Sequence, residues 1–463
     1  MKNYDVIVIG SGCGTIITDE AVAHGFTTAL VDRGPLGGTC LNVGCIPSKM
    51  LIYPADRIVE IEEARKLGVE AEISNIDFKS IMERMRHNIR ENQAHIREGI
   101  KQAEGLDFYE GEGHFTGDYT LEVNGEKIKG KKIFIASGSR PFIPPIKGLD
   151  GVDYLTNETV LELKARPDSI IIIGGGYIGA ELAQMFARAG VKVTLVFRSR
   201  LLPEAEPEIG AALTGYFADE GITLLSGIAY RAICKTENGI ALDVSRDGQN
   251  RTIDADQVLI STGRTPNIEG LGLTERGIAV SPKGGIVVDD RMRTTGAGIY
   301  AAGDVTGRDQ FVYMAAYGAK LAAKNALNGD SLRYDNSAMP AIVFTDPQVA
   351  SVGLTEATAR AAGHTVRVST IGLDQVPRAL AARDTRGLIK LVADAGSGRL
   401  LGAHILAPEG ADSIQTAAIA IRQGLTVDDL VDTIFPYLTT VEGLKLAALS
   451  FGKDVAKLSC CAG

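Results

Sequence analysis

Basic charge, long apolar runs and cysteine are all scarce in this chain, and each shortage removes a class of function. Its 48 Lys and Arg are outnumbered by 57 Asp and Glu, for a formal net charge of −9 over 463 residues. No basic run offsets that balance, so a nucleic-acid surface is excluded. The longest apolar stretches, such as Ile170 to Ile173, stop at glycine far short of the ~20 residues that span a bilayer, so no membrane crossing is expected. The opening Val6-Ile7-Val8-Ile9-Gly10 is short for a secretory signal and has no small-residue cleavage site behind it, which predicts a cytoplasmic protein. Six cysteines are too few to staple a chain of this length. Four of them nevertheless fall in two close pairs, Cys40 with Cys45 and Cys460 with Cys461. Close pairs in a cytoplasmic protein point to redox chemistry or metal binding.

What is present is a duplicated pattern in a chain long enough for two to four domains. Tyr4 to Gly10 reads as a buried parallel strand, followed by a glycine turn, a helix from about Thr15 to His24, and a second strand over Thr28 to Asp32. Ser169 to Gly174, a helix over Gly176 to Ala189 and a strand over Lys192 to Phe197 repeat that βαβ grammar, so two dinucleotides are implied. Ile133 to Ile135 leads into Ala136-Ser137-Gly138-Ser139-Arg140-Pro141, and Val258 to Ile260 into Ser261-Thr262-Gly263-Arg264-Thr265-Pro266. These are a matched pair of exits from nucleotide-binding units. Past Asp335 the texture changes to strands over 341–344, 366–371, 388–392 and 400–405 and an amphipathic helix over 411–423. The expected architecture is α/β, with two Rossmann-like dinucleotide-binding domains and a C-terminal α+β domain.

Gly10-Ser11-Gly12-Cys13-Gly14-Thr15 opens the first unit, and Asp32 closes its second strand at the spacing a dinucleotide site requires. The turn brings backbone N–H groups and a helix N-terminus against a pyrophosphate, and Asp32 is placed to accept from ribose hydroxyls. Thr15 stands where the pattern wants Gly or Ala, which predicts a slightly looser fit of helix to strand; Cys13 reads as a small filler. Gly174-Gly175-Gly176-Tyr177-Ile178-Gly179 meets the full pattern. Its second strand ends in Phe197-Arg198-Ser199-Arg200 with no carboxylate, so Arg198 and Arg200 favour a 2′-phosphate and NADPH over NADH. The plain alternative is that both arginines form a solvated face.

Cys40-Leu41-Asn42-Val43-Gly44-Cys45-Ile46-Pro47-Ser48-Lys49 is the most specific signal. Gly44 permits a tight turn between the cysteines, and Pro47 belongs in the first turn of a helix, which puts Cys45 at a helix N-terminus. There the helix dipole and the nearby Lys49 favour thiolate over thiol. Two buried structural cysteines are the alternative. Cys234 reads as a buried structural residue.

With these motifs, and with Tyr300-Ala301-Ala302-Gly303-Asp304, the chain resembles the pyridine nucleotide-disulfide oxidoreductases over its whole length. The resemblance implies a FAD-binding domain in two parts, 1–150 and 268–335, an NADPH-binding domain over 151–267, and a dimerisation domain over 336–463 that carries the Cys-Cys tail. It implies that Gly10, Gly12, Gly14, Thr15, Asp32, Gly38, Thr39, Ser137, Gly138 and Asp304 serve FAD, and that Gly174, Gly176, Gly179, Arg198, Arg200 and Gly263 belong to the nucleotide sites. Lys49 and Glu181 would lie near the reactive flavin nitrogen and Tyr177 would gate the nicotinamide. Electrons would run from NADPH through FAD to Cys40 and Cys45.

Disulfide-reducing members carry a His-Pro followed four residues later by Glu near the C-terminus, the His serving as acid/base. Aligning on Glu442 puts Tyr437 where that His should be, and a phenol with a pKa near ~10 is a poor neutral-pH base. The adjacent thiols of Cys460 and Cys461 suit a soft metal instead. The ending, with Tyr177 and Tyr437, resembles the mercuric-ion-reducing branch of the family. That resemblance implies Hg(II) as a thiol complex, held in turn by Cys460/Cys461 of one subunit and Cys40/Cys45 of the other in a homodimer. Some members carry an extra N-terminal metal-binding domain, which is not expected where the chain opens on the FAD strand. Two alternatives stay open: a dihydrolipoamide- or glutathione-type disulfide reductase, and a non-catalytic thiophilic-metal sink or redox sensor.

Overall fold

Val6, Ile7, Val8 and Ile9 present no polar face, and in the computed structural model, which describes residues 1–454 and 457, all four are buried in the middle of a seven-stranded sheet. Their strand, β1 (Lys2–Ile9), pairs in parallel with β2 (Thr28–Asp32) on one side and with the inner end of a long strand, Glu126–Ile135, on the other. Burial on both faces is what parallel strands require, and it explains their uninterrupted Val/Ile composition. The chain leaves this sheet and comes back, since Ile299–Ala301 pairs in parallel with Glu126–Ile135.

A second parallel sheet of four strands is ordered Thr223–Leu225, Lys192–Val196, Ser169–Ile173, Gln257–Ile260, and a three-stranded antiparallel sheet, Ala229–Thr236 to Gln249–Ala255, covers it. The C-terminal unit is a five-stranded antiparallel sheet ordered Pro340–Val343, Gln348–Gly353, Leu400–Ala407, Leu388–Asp394, Val366–Gly372. The helix Gly410–Arg422 packs on it. No helix among the described residues is long and apolar enough to cross a membrane.

Helices deliver the chemistry-bearing residues: α1 (Gly14–Ala23), α2 (Gly38–Val43), α3 (Cys45–Glu62), α4 (Phe78–Gln102) and α5 (Tyr177–Arg188). α4 is not among the helices expected from the sequence. It is capped by Asp77, whose side chain accepts from Ser80 N–H at 2.9 Å, and it buries Phe78, Met82, Met85 and Ile89 at helical spacing against α3. It also repairs α3. Pro54 lies inside α3 and has no N–H for the Met50 carbonyl, and Arg84 Nη2 of α4 donates to that carbonyl at 3.0 Å.

The unit built on the four-stranded parallel sheet and the C-terminal unit meet over buried charge. Lys390, 2 % exposed, donates to Glu206, Glu208 and Glu356 at 3.1, 3.0 and 3.0 Å. Desolvation opposes that ammonium, but the three carboxylates outweigh it and raise its pKa.

Candidate functional site

The two glycine turns have the same construction. Gly10 and Gly174 hold φ values of 102° and 120°, and a Cβ would meet the exit-strand carbonyls of Ala136 at 2.2 Å and Ser261 at 2.3 Å. Their neighbours differ in kind. A Cβ on Gly176 would meet nothing within 4 Å, and one on Gly12 only Gly38 Cα at 3.6 Å, with neither residue at positive φ. Nothing in the chain forbids a side chain there, so the open space at the starts of α1 and α5 fits a phosphate group drawn up to the backbone. Two dinucleotides fit the two cradles.

The third fingerprint position behaves differently in the two turns. A Cβ on Gly179 would lie 1.9 Å from Gly174 O, whereas in the first turn the close helix–strand contact falls on Gly14, 2.8 Å from Val8 Cγ1. Thr15 fits because its hydroxyl donates back to Gly12 O at 3.0 Å. Cys13 is partly buried against Gly303 and Ala302, and desolvation pushes its thiol up to about 12, a filler role. Asp32 accepts from the N–H groups of Ser11 and Gly34, which fixes its carboxylate at the end of β2. On the exit strands Ser137 Oγ donates to Asn267 O at 2.7 Å, Gly138 and Gly263 hold φ of 70° and 121°, and Ser139 Oγ donates to Asp304 at 2.6 Å.

Cys40 lies in α2 and Cys45 begins α3, with Gly44 between. Gly44 has φ −133°, ψ −116°, and a Cβ there would stand 2.9 Å from Thr39 O, so the turn closes over Thr39 and Cys40 only with glycine. Gly38 is equally confined, 2.6 Å from Gly12 Cα for an added Cβ, and brings α2 against the first cradle. The Cys40 side chain hydrogen-bonds to Cys45 and, with the Lys49 charge and the helix-end N–H, lowers the Cys45 thiol to about 7 against the opposing effects of burial and Glu181. As donor to that sulfur, Cys40 is held as the thiol.

Lys49 Nζ lies 2.8 Å from Glu181 Oε2 and 4.4 Å from the Phe344 ring centre, and Glu181 Oε1 accepts from Phe344 N–H at 2.9 Å. Tyr177, at the start of α5, packs tilted against Phe311 at 5.7 Å, and Phe311 stacks at 5.4 Å on Tyr313. Burial raises the pKa of the Tyr313 hydroxyl, and the charges of Tyr177 and Cys45 add to that rise. Cys45, Lys49, Tyr177 and Glu181 are thus brought to one place by the starts of two neighbouring helices.

Residues 4–323 match the family described as pyridine nucleotide-disulphide oxidoreductase, and residues 339–448 match its dimerisation domain. Curated mercuric reductases are similar over the whole chain. That of Bacillus cereus is 44 % identical over 100 % of this chain and 73 % of its own length; that of Streptomyces lividans is 42 % identical over 99 % and 98 %. The chain belongs to the mercuric reductase branch of that family. Among solved structures, the Cu(II) complex of the HOCl-induced flavoprotein disulfide reductase RclA from Escherichia coli superposes with a TM-score of 0.87 at 30 % identity, covering 98 % of this chain and 100 % of that one.

The cofactors of this oxidoreductase family are FAD and NADPH, in keeping with the two cradles. Several residues beside those cradles escaped the sequence reading. Arg264 is mostly buried, donates to Ser139 Oγ at 2.7 Å and Ser139 O at 2.8 Å, and stands 3.7 Å from Asp304; burial lowers its pKa. Phe311, Tyr313 and Phe344 are the others. Arg264 lies in an exit motif that was recognised, but its side-chain direction is set by antiparallel pairing with Ser139–Pro141, which the local sequence does not encode.

The remaining expected residues of the oxidoreductase are more dispersed. Arg198 is exposed at the end of its strand, while Arg200 Nη2 is turned onto Pro203 O and Ala205 O at 2.6 and 2.7 Å, folding the following loop. Tyr437 is half exposed, and Glu442 opens the helix Glu442–Leu449 of the C-terminal unit, where it accepts from Leu438 N–H at 3.1 Å and burial raises its pKa. Cys460 and Cys461 lie outside the described residues. Among the described residues no group of three or more His, Cys, Asp or Glu is arranged to hold a metal ion. One expectation is corrected: Cys234 is exposed, because its strand turns Ile233 inward and alternation sends the next side chain out.

Proposed function

We propose that the chain is an NADPH-dependent reductase of thiol-complexed Hg(II), releasing Hg(0) by way of FAD and the Cys40/Cys45 pair. The observation that carries the reading is the junction of α3 and α5, where a thiol of lowered pKa, a lysine–glutamate pair and a partly buried tyrosine meet at the start of the helix that follows the second glycine turn. Similarity to mercuric reductases over the full chain supports the choice of metal.

When bound at the two cradles, NADPH and FAD would supply two electrons, as a hydride equivalent, to the cysteine side. The chain's own residues do the rest. Cys45 at the start of α3 is the readily ionised thiol, and Cys40 supplies the second sulfur. Two thiolates suit Hg(II), which prefers near-linear coordination and is exchanged between thiols through a three-sulfur arrangement without becoming free. On taking two electrons the metal leaves as Hg(0), which thiolates bind poorly, and both sulfurs are returned. Lys49 holds positive charge beside Cys45, and Glu181 holds Lys49. Tyr177 covers the nicotinamide position. Asp32, Ser137, Gly138 and Asp304 serve FAD, and Arg198 serves the 2′-phosphate, with Arg200 shaping its loop.

The match to a dimerisation domain supports a homodimer. In it, Cys460 and Cys461 of the partner subunit deliver the metal, and Tyr437 with Glu442 stands where disulfide reductases keep a histidine. A cytoplasmic location completes the reading.

The deciding experiment follows NADPH oxidation with Hg(II) in excess thiol while volatile mercury is trapped. Catalytic NADPH loss matched by mercury release is expected. Stoichiometric binding without turnover would make the protein a metal sink, and faster turnover with an organic disulfide than with Hg(II) would make it a disulfide reductase.

A further inference from the structure

Gly174, Gly175 and Gly176 offer no side chain to the second cradle, so Tyr177, the first residue of α5, carries the first ring beside it. Among the described residues its hydroxyl makes no hydrogen bond, and its ring meets one other aromatic ring, that of Phe311, at 5.7 Å with a 42° tilt. The two rings belong to different nucleotide-binding units. Tyr177 follows the second glycine turn, whereas Phe311 stands just ahead of the helix Val312–Asn328, which packs on α1 of the first unit. A side chain held by packing alone changes rotamer for no more than the loss of that packing.

Phe311 is fastened where Tyr177 is not. Two residues before it, Asp309 has φ 27°, a backbone conformation that residues with a side chain rarely adopt. Tyr334 Oη and Asn336 Nδ2 each donate to the Asp309 carboxylate at 2.9 Å, and these bonds over-determine the strained residue. Asp309 O in turn accepts from Phe311 N–H at 2.7 Å, and Phe311 O accepts from Ala315 N–H at 2.9 Å. On its other side the Phe311 ring stacks on Tyr313, whose hydroxyl donates to Pro340 O at the head of the C-terminal sheet. Residues 334–340 therefore anchor the loop both before and after Phe311. Of the two rings in contact, one is a fixed stop and the other is the part able to move.

We infer that Phe311 is a positioning residue for nucleotide entry: it holds the Tyr177 ring over the nicotinamide position, and an entering nicotinamide has to break this ring pair to take its place. The inference rests on the covering role that the proposed function gives Tyr177, but not on the identity of the metal.

The test is calorimetric titration of the oxidised, FAD-loaded protein with two probes, NADP+ and adenosine 2′,5′-bisphosphate, the second having the adenine and phosphates but no nicotinamide. Phe311→Leu keeps an apolar side chain and loses the ring pair, so NADP+ should bind about threefold more tightly while the bisphosphate binds as to the wild type. In a Tyr177→Ala background the latch has nothing to hold, and adding Phe311→Leu should change NADP+ affinity no further. Unchanged or weaker NADP+ binding in Phe311→Leu would overturn the inference, as would an equal shift for both probes or an equal Phe311 effect with and without Tyr177. If Phe311→Leu loses its FAD, Phe311→Met, which keeps much of the volume, carries the same comparison. A Tyr177→Ala protein that binds NADP+ as the wild type does would remove the covering role of Tyr177 and the latch with it, whereas an altered affinity there with none in Phe311→Leu would remove the latch alone. No mercury enters the assay, so failure of the metal assignment is seen separately.

Discussion

Lys49 Nζ stands 2.8 Å from Glu181 Oε2, and this pair ties the helix that begins at Cys45 to the helix that begins at Tyr177. The carboxylate is nearly buried while the ammonium is a third exposed, so the positive charge is kept at the mouth of the site next to the thiol.

The first prediction concerns that charge. In the reduced protein, Cys45 alkylation should rise with pH to a midpoint near 7, because its lowered pKa keeps it a thiol below that pH and a thiolate above it. Lys49→Met should move the midpoint up by about one unit and slow alkylation at neutral pH roughly fivefold. A midpoint unchanged by the substitution would mean that the lysine does not act on the sulfur.

Two glycines of one turn should respond in opposite ways. Gly176→Ala adds a methyl group to open space, so the melting temperature of the cofactor-free protein should stay put while NADPH binding weakens about tenfold or more, as the dinucleotide loses its approach to the backbone. Gly179→Ala drives a methyl into Gly174 O and should cost about 2–4 kcal/mol of stability. Calorimetry of unfolding and NADPH titration separate the two. Equal loss of stability would show that Gly176 serves the fold and not the ligand.

The tail is tested by the double variant Cys460→Ala, Cys461→Ala. It should keep the visible spectrum of bound FAD and lose turnover with thiol-complexed Hg(II). Turnover at the wild-type rate would remove the tail from the mechanism.

Lys390 makes a prediction about stability and pH. Lys390→Met strands Glu206, itself 2 % exposed, with Glu208 and Glu356, and should cost about 3–5 kcal/mol near neutral pH. The pKa values of Glu208 and Glu356 are depressed, so their share of the wild-type stability is present above the unfolded carboxylate pKa and is lost as pH falls through the folded values. The lysine's own pKa is raised, so its share persists through neutral pH and is lost only in strong alkali. The gap between wild type and Lys390→Met, measured by denaturant unfolding, should therefore narrow in acid. A gap that widens there would contradict the ion cluster.

Much of the nucleotide-binding frame was legible because its signals are local. The strand Thr28–Asp32 has the bounds read from its residues, and the strands Ser169–Ile173 and Lys192–Val196 end within one residue of the reading. β-branched runs buried on both faces and glycines required by a turn leave their mark within a few positions. The start of α3 at Cys45 was readable for the same reason, from Gly44 and Pro47 alone. By contrast α4 lies over a mostly polar run whose few buried residues take meaning only from the α3 surface they cover.

What the sequence by itself determined is therefore the two glycine turns, the strands that feed them and a thiol at a helix start, since each depends on the backbone preferences of neighbouring residues. Only the tertiary structure decided that Phe344 and Glu181 would hold Lys49, that Phe311 and Tyr313 would extend the row from Tyr177, that Arg264 would bridge Ser139 and Asp304, and that Cys234 would face solvent. These partners are far apart along the chain. Their meeting follows from which sheets pair and which helix faces pack, and distant side chains carry no local pattern of the contact they will make.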